Sequence, residues 1–214
     1  KKTKGRIVIP NEERSTEILN DLAGASYLVD EVRKRETKSR PAAPFITSTL
    51  QQEAYRKLRF TARRTMAVAQ QLYEGISIGD EQTGLITYMR TDSTNVANQA
   101  LAQASEYIKG KYGAEYAPTK PRVYTKRVRG AQEAHEAIRP TSIMRDPQSI
   151  RQHLSNEQAR LYDLIWKRLV ASQMNDAIFD STSVRIGANG KSAEYEFRVN
   201  GSILKFAGFR VLYM

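Results

Sequence analysis

Residues 84–93 read GLITYMRTDS, an apolar run that leads into a tyrosine, an arginine, an acid and two hydroxyl residues. An extended backbone would direct Tyr88 and Arg90 to the same face, because they lie two positions apart. A phenol with a pKa of about 10 is a weak nucleophile unless a cation stabilises its anion, and arginine is a permanent cation that also fits phosphate oxygens. Two interpretations stand: Tyr88 packs while Arg90 is solvated, or the pair is arranged to attack a phosphodiester.

A second unusual stretch is AHEAIRP, residues 134–140. His135 and Glu136 begin like the zinc motif H-E-x-x-H, but Arg139 occupies the position of the second histidine. The sequence has no cysteine and only one other histidine, His153, so it predicts no metal site. His135 is then either a structural histidine or one that contacts a phosphate or handles a proton.

The composition favours a polyanionic partner. Lys and Arg number 34 against 23 Asp and Glu, which gives a net charge of +11. Nucleic acid is the first candidate for such a partner and an anionic membrane surface the second. Candidate phosphate-binding residues lie in a basic, loop-like stretch: Lys120, Arg122, Lys126, Arg127 and Arg129.

Residue types and segments that the sequence lacks limit the cellular compartments in which we expect the protein. The absence of cysteine excludes disulfides and Cys-ligated zinc and fits a reducing compartment. No apolar run approaches the roughly 18 residues that a membrane span needs. Neither an initial Met nor an apolar signal core opens the chain, so we expect part of a longer cytoplasmic protein with no membrane contact.

The centre of the chain has the pattern of packed helices. Capping boxes at Ser48 and Ser155 predict two helix starts, Thr61 predicts a third, and Ser93 a fourth. After Ser155, two adjacent apolar stripes recur at helical spacing: Leu161, Ile165 and Leu169 beside Tyr162, Trp166 and Val170. A face that wide is expected in the middle of a helical bundle.

The two ends of the chain predict strands instead. Residues 5–10 and 26–38 are candidate strands, and three more follow Asn175, separated by the hairpin signals Asn189-Gly190 and Asn200-Gly201. The predicted fold class is α+β, a β-rich arch with an inserted, mostly α-helical domain. The arch is expected at 1–47 and 176–214, and the helical domain at 48–175.

Three blocks of this sequence together resemble the type IA DNA topoisomerases, the bacterial members in particular. GLITYMRTDST (84–94) resembles the active-site tyrosine signature of that family, in its topoisomerase I form rather than the Tyr-Pro-Arg-Thr-Glu form of topoisomerase III. AQEAHEAIRPT (131–141) resembles its second signature, and PFITSTLQQEAYRKLRF (44–60) resembles the opening of its helical domain. The resemblance covers essentially the whole chain, and it favours the interpretation of Tyr88 as a nucleophile.

The resemblance implies roles for single residues. Tyr88 would attack a single-strand DNA phosphodiester and form a transient 5′-phosphotyrosine, Arg90 would hold the scissile phosphate, and His135 would lie near it. Supporting positions by the same analogy are Thr87, Asp92, Glu136 and Arg139. In the intact enzyme the cut strand is resealed without ATP after strand passage, which relaxes negative supercoils.

The resemblance also implies what this chain does not carry. The family holds Mg²⁺ in a Toprim domain, and no acidic D-x-D pattern precedes Tyr88 here. We therefore expect the β-arch, acting as a hinge, and the tyrosine-bearing helical domain of a cytoplasmic, nucleoid-associated bacterial enzyme. Its partners would be DNA, mainly single-stranded, and the missing Toprim and base domains, without which the chain alone would be inactive.

Three other interpretations remain open at this stage. A non-catalytic module for single-stranded nucleic acid would use the basic loop, with tyrosines 107, 112, 116 and 124 as stacking platforms. The topoisomerase half of a reverse gyrase would share the signatures, although no helicase portion is present. A tyrosine recombinase also uses Tyr and Arg, but with several dispersed arginines and a different sequence around the tyrosine.

Overall fold

The computed structural model describes residues 7–79, 81–124 and 135–214. The chain divides into two compact units, each built from two separate stretches. The first comprises Lys1–Thr37 with Phe179–Lys205, and the second comprises Lys38–Ile178 with Phe206–Met214.

Among the described residues, the three long strands lie toward the two ends of the sequence, and four of the five α-helices lie between them. The helices and strands are α1 (Glu12–Leu22), β1 (Ser26–Ser39), α2 (Thr47–Leu58), α3 (Ala62–Glu74), β2 (Ile76–Ile78), β3 (Glu81–Thr83), α4 (Asn98–Tyr112), α5 (Asn156–Ser172), β4 (Ala177–Asn189) and β5 (Glu194–Phe206). This order confirms the predicted α+β class.

The first unit is built on a three-stranded sheet in the order β1-β4-β5. Its side-chain contacts show the strand directions: Thr37 hydrogen-bonds Ser181 (2.7 Å between hydroxyl oxygens), whereas Glu31 pairs with Arg185 (3.3 Å). In these two contacts the residue number increases along β4 while that of its partner decreases along β1, so the two strands are antiparallel. The hairpin predicted at Asn189-Gly190 is confirmed, because β4 ends at Asn189 and the Gly190 N–H donates to the Ala193 carbonyl (2.8 Å).

Two strand predictions for this unit are wrong. Residues 7–10 of the first candidate strand are not paired in a sheet. The Asn200-Gly201 pair does not turn the chain, since β5 continues through it to Phe206. β5 is hydrogen-bonded to β4 in the sheet, and an internal turn in β5 would sacrifice part of that pairing.

The second unit is a helical domain with α5 at its centre. Leu161, Ile165 and Leu169 are at most 1% exposed, which confirms the predicted central stripe. The two polar atoms on this face are also satisfied: the Tyr162 hydroxyl donates to the Arg145 carbonyl (2.7 Å) and the Trp166 indole N–H to the Ile143 carbonyl (2.9 Å). Burial without an unpaired polar group makes α5 the stable base of this unit.

Local capping signals predict the helix starts at Ser155 and Thr61 and fail at Ser48 and Ser93. The Ser155 hydroxyl accepts the Gln158 N–H (3.3 Å) and the Thr61 hydroxyl the Arg64 N–H (3.2 Å), as expected, while α2 begins one residue before Ser48. Ser93 does not cap α4, which begins at Asn98. The N–H of Ala97, before Asn98, donates to the carboxylate of Glu136 (2.7 Å), so a distant side chain replaces the local cap.

Candidate active site around Tyr88

Backbone hydrogen bonds draw the three signature blocks together in the second unit. The Ile138 N–H donates to the Phe45 carbonyl (2.8 Å), and the Thr87 N–H donates to the Arg139 carbonyl (2.9 Å). Isolated bridges join Phe45 to Ile138 and Ile86 to Pro140. Stretches that are far apart along the chain are thus joined at the backbone immediately before Tyr88.

The residues from 88 to 90 alternate in exposure. Tyr88 is 50% exposed and Arg90 is also exposed, whereas Met89 between them is 1% exposed and belongs to the core. Tyr88 and Arg90 are therefore both directed to solvent, but the chain bends at residues 89 and 90, so the extended backbone expected for this stretch is not observed. Within the described residues neither the Tyr88 hydroxyl nor the Arg90 guanidinium has a hydrogen bond or an ion pair, so both are available to a ligand.

Thr87 links the tyrosine block to the second signature block. Its hydroxyl donates to the Ala137 carbonyl (2.6 Å) and accepts the Arg139 N–H (3.0 Å). The side chain is therefore saturated by backbone groups and holds the residue next to Tyr88 in place.

Glu136 and Arg139 form an ion pair inside the same block. Arg139 Nη2 lies 2.7 Å from Glu136 Oε2, and the Arg139 side chain is only 12% exposed. The second oxygen of Glu136 accepts the Ala97 N–H (2.7 Å), and Arg139 Nη1 donates to the Pro140 carbonyl (3.0 Å). Both charged groups are thus engaged within the unit, and they stabilise the loop between Tyr88 and α4.

His135 and Asp92 have a different environment. Both are exposed, and neither side chain has a hydrogen bond or an ion pair among residues 7–79, 81–124 and 135–214. His135 begins the block whose following residues are bonded to Asn95, Phe45 and Thr87, so its backbone position is fixed close to the tyrosine block. Its ring remains free to meet a ligand.

Comparison with known proteins identifies the group to which this arrangement belongs. A family model described as DNA topoisomerase matches residues 1–214. The chain belongs to the DNA topoisomerase family.

Individual relatives agree with this assignment. The chain is 53% identical over 196 residues to DNA topoisomerase 1 of Xylella fastidiosa (91% of this chain, 24% of that protein). It is 46% identical over 205 residues to DNA topoisomerase 1 of Rickettsia prowazekii (96% and 26%). Full-length topoisomerase I from Thermotoga maritima has a similar structure, with a TM-score of 0.79, 36% identity and coverage of 99% of this chain and 33% of that one. This topoisomerase chain spans about a quarter of the length of the curated relatives.

The candidate DNA-binding residues of this topoisomerase chain differ in how far their side chains are exposed and in whether they already have partners. Lys120 is exposed, as a phosphate contact requires. Arg122 is not free: its guanidinium lies 2.6 Å from Asp176 Oδ1 and donates to the Met174 carbonyl (2.7 Å), with the side chain 23% exposed. These contacts give Arg122 a packing role at the end of α5. Lys126, Arg127 and Arg129 lie outside the described residues.

The tyrosines that a stacking module would need are packed instead. Tyr107 lies edge-on to Trp166 with ring centroids 5.1 Å apart, and Tyr116 lies against Phe206 at 4.8 Å. The Tyr124 hydroxyl donates to the Ser172 carbonyl (2.7 Å), and burial raises the pKa of Tyr124 to about 12. These rings support the core of the unit, which weakens the interpretation as a pure binding module.

The described ranges contain neither a metal-ligating cluster nor a helix suited to cross a membrane. There, no group of three or more His, Asp or Glu side chains is arranged to hold a metal ion. No helix in that part of the chain has the length and apolarity to cross a bilayer.

Two residues near Tyr88 escape analysis of the sequence. Tyr73, on α3, lies with its ring centroid 5.4 Å from that of Tyr88, and Thr47, on α2, hydrogen-bonds the backbone around Arg90. Neither belongs to the tyrosine block; Thr47 lies in the block 44–60, but no local pattern indicates its contact with the backbone around Arg90. Only the tertiary contacts of α2 and α3 with that block reveal them.

Proposed function

We propose that this chain supplies the nucleophilic tyrosine of a type IA, ATP-independent DNA topoisomerase. The observation that carries the proposal is the pairing of an exposed Tyr88 with an exposed Arg90 on either side of the buried Met89. The supporting fact is family membership, since the relatives are named DNA topoisomerase 1. DNA, mainly single-stranded, is the proposed substrate.

The proposed reaction exchanges one phosphate ester for another. The Tyr88 oxygen attacks the phosphorus of a single-strand phosphodiester and loses its proton, and the bond from phosphorus to the 3′ oxygen breaks. The products are a 5′-phosphotyrosine and a strand that ends in a 3′-hydroxyl once its oxygen takes up a proton. The reverse attack by this hydroxyl restores both the strand and the phenol, so ATP is not required.

Arg90 and His135 have roles set by charge and exposure. The free guanidinium of Arg90 binds the phosphate oxygens, on which negative charge is concentrated during the transfer. The exposed His135 contacts the same phosphate or carries the proton that Tyr88 releases. Thr87 keeps the two blocks together through its hydrogen bonds to the backbone of residues 137 and 139. The Glu136–Arg139 ion pair holds the second block beside the start of α4.

The remaining parts of the activity would reside in other regions of the intact protein. The proposed enzyme uses Mg²⁺, which a Toprim domain would hold, and no metal-ligating cluster lies in the described part of this chain. Passage of the second strand through the cut would relax negative supercoils in the bacterial cytoplasm, at the nucleoid. Alone, the chain would bind single-stranded DNA weakly and cleave none.

Covalent trapping tests the proposal. The 196-residue matching segment of the Xylella fastidiosa DNA topoisomerase 1 is replaced by the corresponding part of this chain. This chimera is incubated with Mg²⁺ and a 3′-labelled single-stranded oligonucleotide, and the denaturant-stable adduct is mapped by mass spectrometry. We expect the adduct on Tyr88, its loss in Tyr88→Phe with DNA affinity retained, and a reduction of about 100-fold or more in Arg90→Ala.

Matched variants make this test specific. Tyr55 is a 60% exposed tyrosine on α2, so Tyr55→Phe controls for the loss of an exposed hydroxyl and should leave the adduct unchanged. An adduct on a residue other than Tyr88 would refute the assignment of the nucleophile. Intact DNA binding without any adduct would favour a non-catalytic single-strand binding module.

A further inference from the structure

Thr47, the first residue of α2, contacts the backbone on both sides of Arg90. Its hydroxyl lies 2.8 Å from the Met89 carbonyl and accepts the Thr91 N–H at 2.9 Å. The Thr47 N–H donates to the Thr91 carbonyl (2.9 Å). The hydroxyl has a single proton and lies closer to the Met89 carbonyl (2.8 Å) than to the Thr91 carbonyl (3.0 Å), so we assign the proton to the Met89 carbonyl.

These hydrogen bonds constrain the backbone on both sides of Arg90. The Met89 carbonyl belongs to the peptide unit before Arg90, and the Thr91 N–H belongs to the peptide unit after it. One side-chain oxygen therefore fixes the orientation of both peptide planes, and with them the two backbone dihedrals of Arg90. The side chain of Arg90 itself is left exposed.

The partners of this contact are rigid on both sides. Met89 is 1% exposed, so its side chain is anchored in the core. Thr47 belongs to the first turn of α2. The helix is anchored in the core by Leu50 and Ala54, which are fully buried. The Thr47 hydroxyl therefore links the packed helix α2 to the backbone of Arg90, whose guanidinium is free.

We propose that Thr47 is a positioning residue for Arg90, and that its hydroxyl aims the guanidinium at the phosphate that Tyr88 attacks. This inference rests on the function proposed above. It assigns Thr47 no contact with DNA. Displacement of a phosphate-binding group by about 1 Å reduces reaction rates far more than affinity, because the geometry of the transfer depends on it.

The test compares Thr47→Val, which keeps the shape and removes the hydroxyl, with Thr47→Ser, which keeps the hydroxyl. Thr65→Val is the matched control: Thr65 is buried, and its hydroxyl makes a comparable bond to the Thr61 carbonyl (2.9 Å) away from the site. In the chimera, we expect Thr47→Val to slow adduct formation about tenfold at saturating oligonucleotide, with DNA affinity within about twofold. Thr47→Ser and Thr65→Val should keep the unaltered rate.

A double-mutant cycle with Arg90→Ala decides whether Thr47 acts through Arg90. We expect Thr47→Val to have no further effect on the rate once Arg90 is alanine, because the group that it positions is gone. Independent, multiplying effects would overturn the inference, as would a normal rate in Thr47→Val accompanied only by a lower Tm like that of Thr65→Val. If the unaltered chimera forms no Tyr88 adduct, the proposed function fails; if it does and Thr47→Val matches it, only the role of Thr47 fails.

Discussion

The ring of Tyr73 lies against the ring of Tyr88, with centroids 5.4 Å apart and planes inclined at 63°. Tyr73 is the penultimate residue of α3. The carbonyl of Leu72, the residue before Tyr73, accepts the Leu85 N–H (2.7 Å). The end of α3 and the start of the tyrosine block are therefore joined at the backbone, and the ring contact extends that junction to the proposed nucleophile. Edge-to-face contact restricts the directions in which the Tyr88 hydroxyl can point.

Removal of this ring should slow the chemical step. An edge-to-face aromatic pair contributes about 0.5–1.5 kcal/mol, so we expect Tyr73→Ala to slow adduct formation by about 2- to 10-fold, and Tyr73→Phe to preserve it. Single-turnover trapping in the chimera measures the rate. Tyr55→Ala removes another exposed tyrosine that has no ring contact among the described residues, and should leave the rate unchanged. Equal rates for Tyr73→Ala and Tyr55→Ala would show that the ring contact is incidental.

Met89 should matter for stability as well as for the site. It is 1% exposed, so Met89→Ala leaves a cavity and is expected to lower the free energy of unfolding of the chain by about 2–5 kcal/mol. Met89→Leu nearly conserves volume and should cost less than about 1.5 kcal/mol. Urea unfolding measures both, with Met144→Ala, at a 64% exposed methionine, as the control. A cost for Met89→Ala no larger than that for Met144→Ala would contradict the burial of Met89.

Local patterns in the sequence predict the structure of this chain correctly where the interacting residues are close along the chain. The stripe of Leu161, Ile165 and Leu169 predicts the central helix because helical periodicity alone decides which side chains share a face. The Ser155 and Thr61 caps are likewise found because the acceptor and the donor are three residues apart. The expected exposure of Tyr88 and Arg90 is observed, whereas the extended backbone expected between them is not, since the chain bends at residues 89 and 90.

The predictions that are wrong or missing have one cause: the interaction that forms involves a partner distant in the sequence. Ser93 is a good cap by composition, but Glu136 lies 39 residues beyond Ala97 and takes over the start of α4. The Asn200-Gly201 pair is a good turn by composition, but β4 pairs with β5 across it. Thr47 is 42 residues from Met89, so its contact with the backbone around Arg90 has no counterpart in any local pattern.

Arg122 and Lys120 should respond to substitution in opposite ways. Arg122 is engaged with Asp176 and the Met174 carbonyl, so Arg122→Gln is expected to reduce the free energy of unfolding of the chain by about 1–3 kcal/mol. Lys120 is exposed, so Lys120→Gln should leave stability within about 0.5 kcal/mol. If Lys120 meets a phosphate, its loss lowers the slope of log affinity against log salt by about one. Urea unfolding and a salt titration of DNA binding measure both; a stability loss confined to Lys120→Gln would reverse the assignment.

Tyr124 should make the second unit sensitive to alkali. Burial raises the pKa of Tyr124 to about 12 in the folded chain, whereas an unfolded tyrosine titrates near pH 10. Between these values the unfolded state releases a proton that the folded state retains. Stability that is fully present below about pH 10 is therefore lost as the pH rises toward 12.

Tyr124→Phe removes this titration together with the hydrogen bond to the Ser172 carbonyl. We expect the variant to be less stable than the unaltered chain at pH 8, with the difference shrinking as the pH rises above about 10. Urea unfolding at pH 8, 9, 10 and 11 gives the difference directly. Tyr27→Phe, at a 57% exposed position of the first unit, controls for the loss of an exposed tyrosine hydroxyl and should change stability little at pH 8. A Tyr124→Phe difference that is constant from pH 8 to 11 would mean that the buried phenol does not resist ionisation.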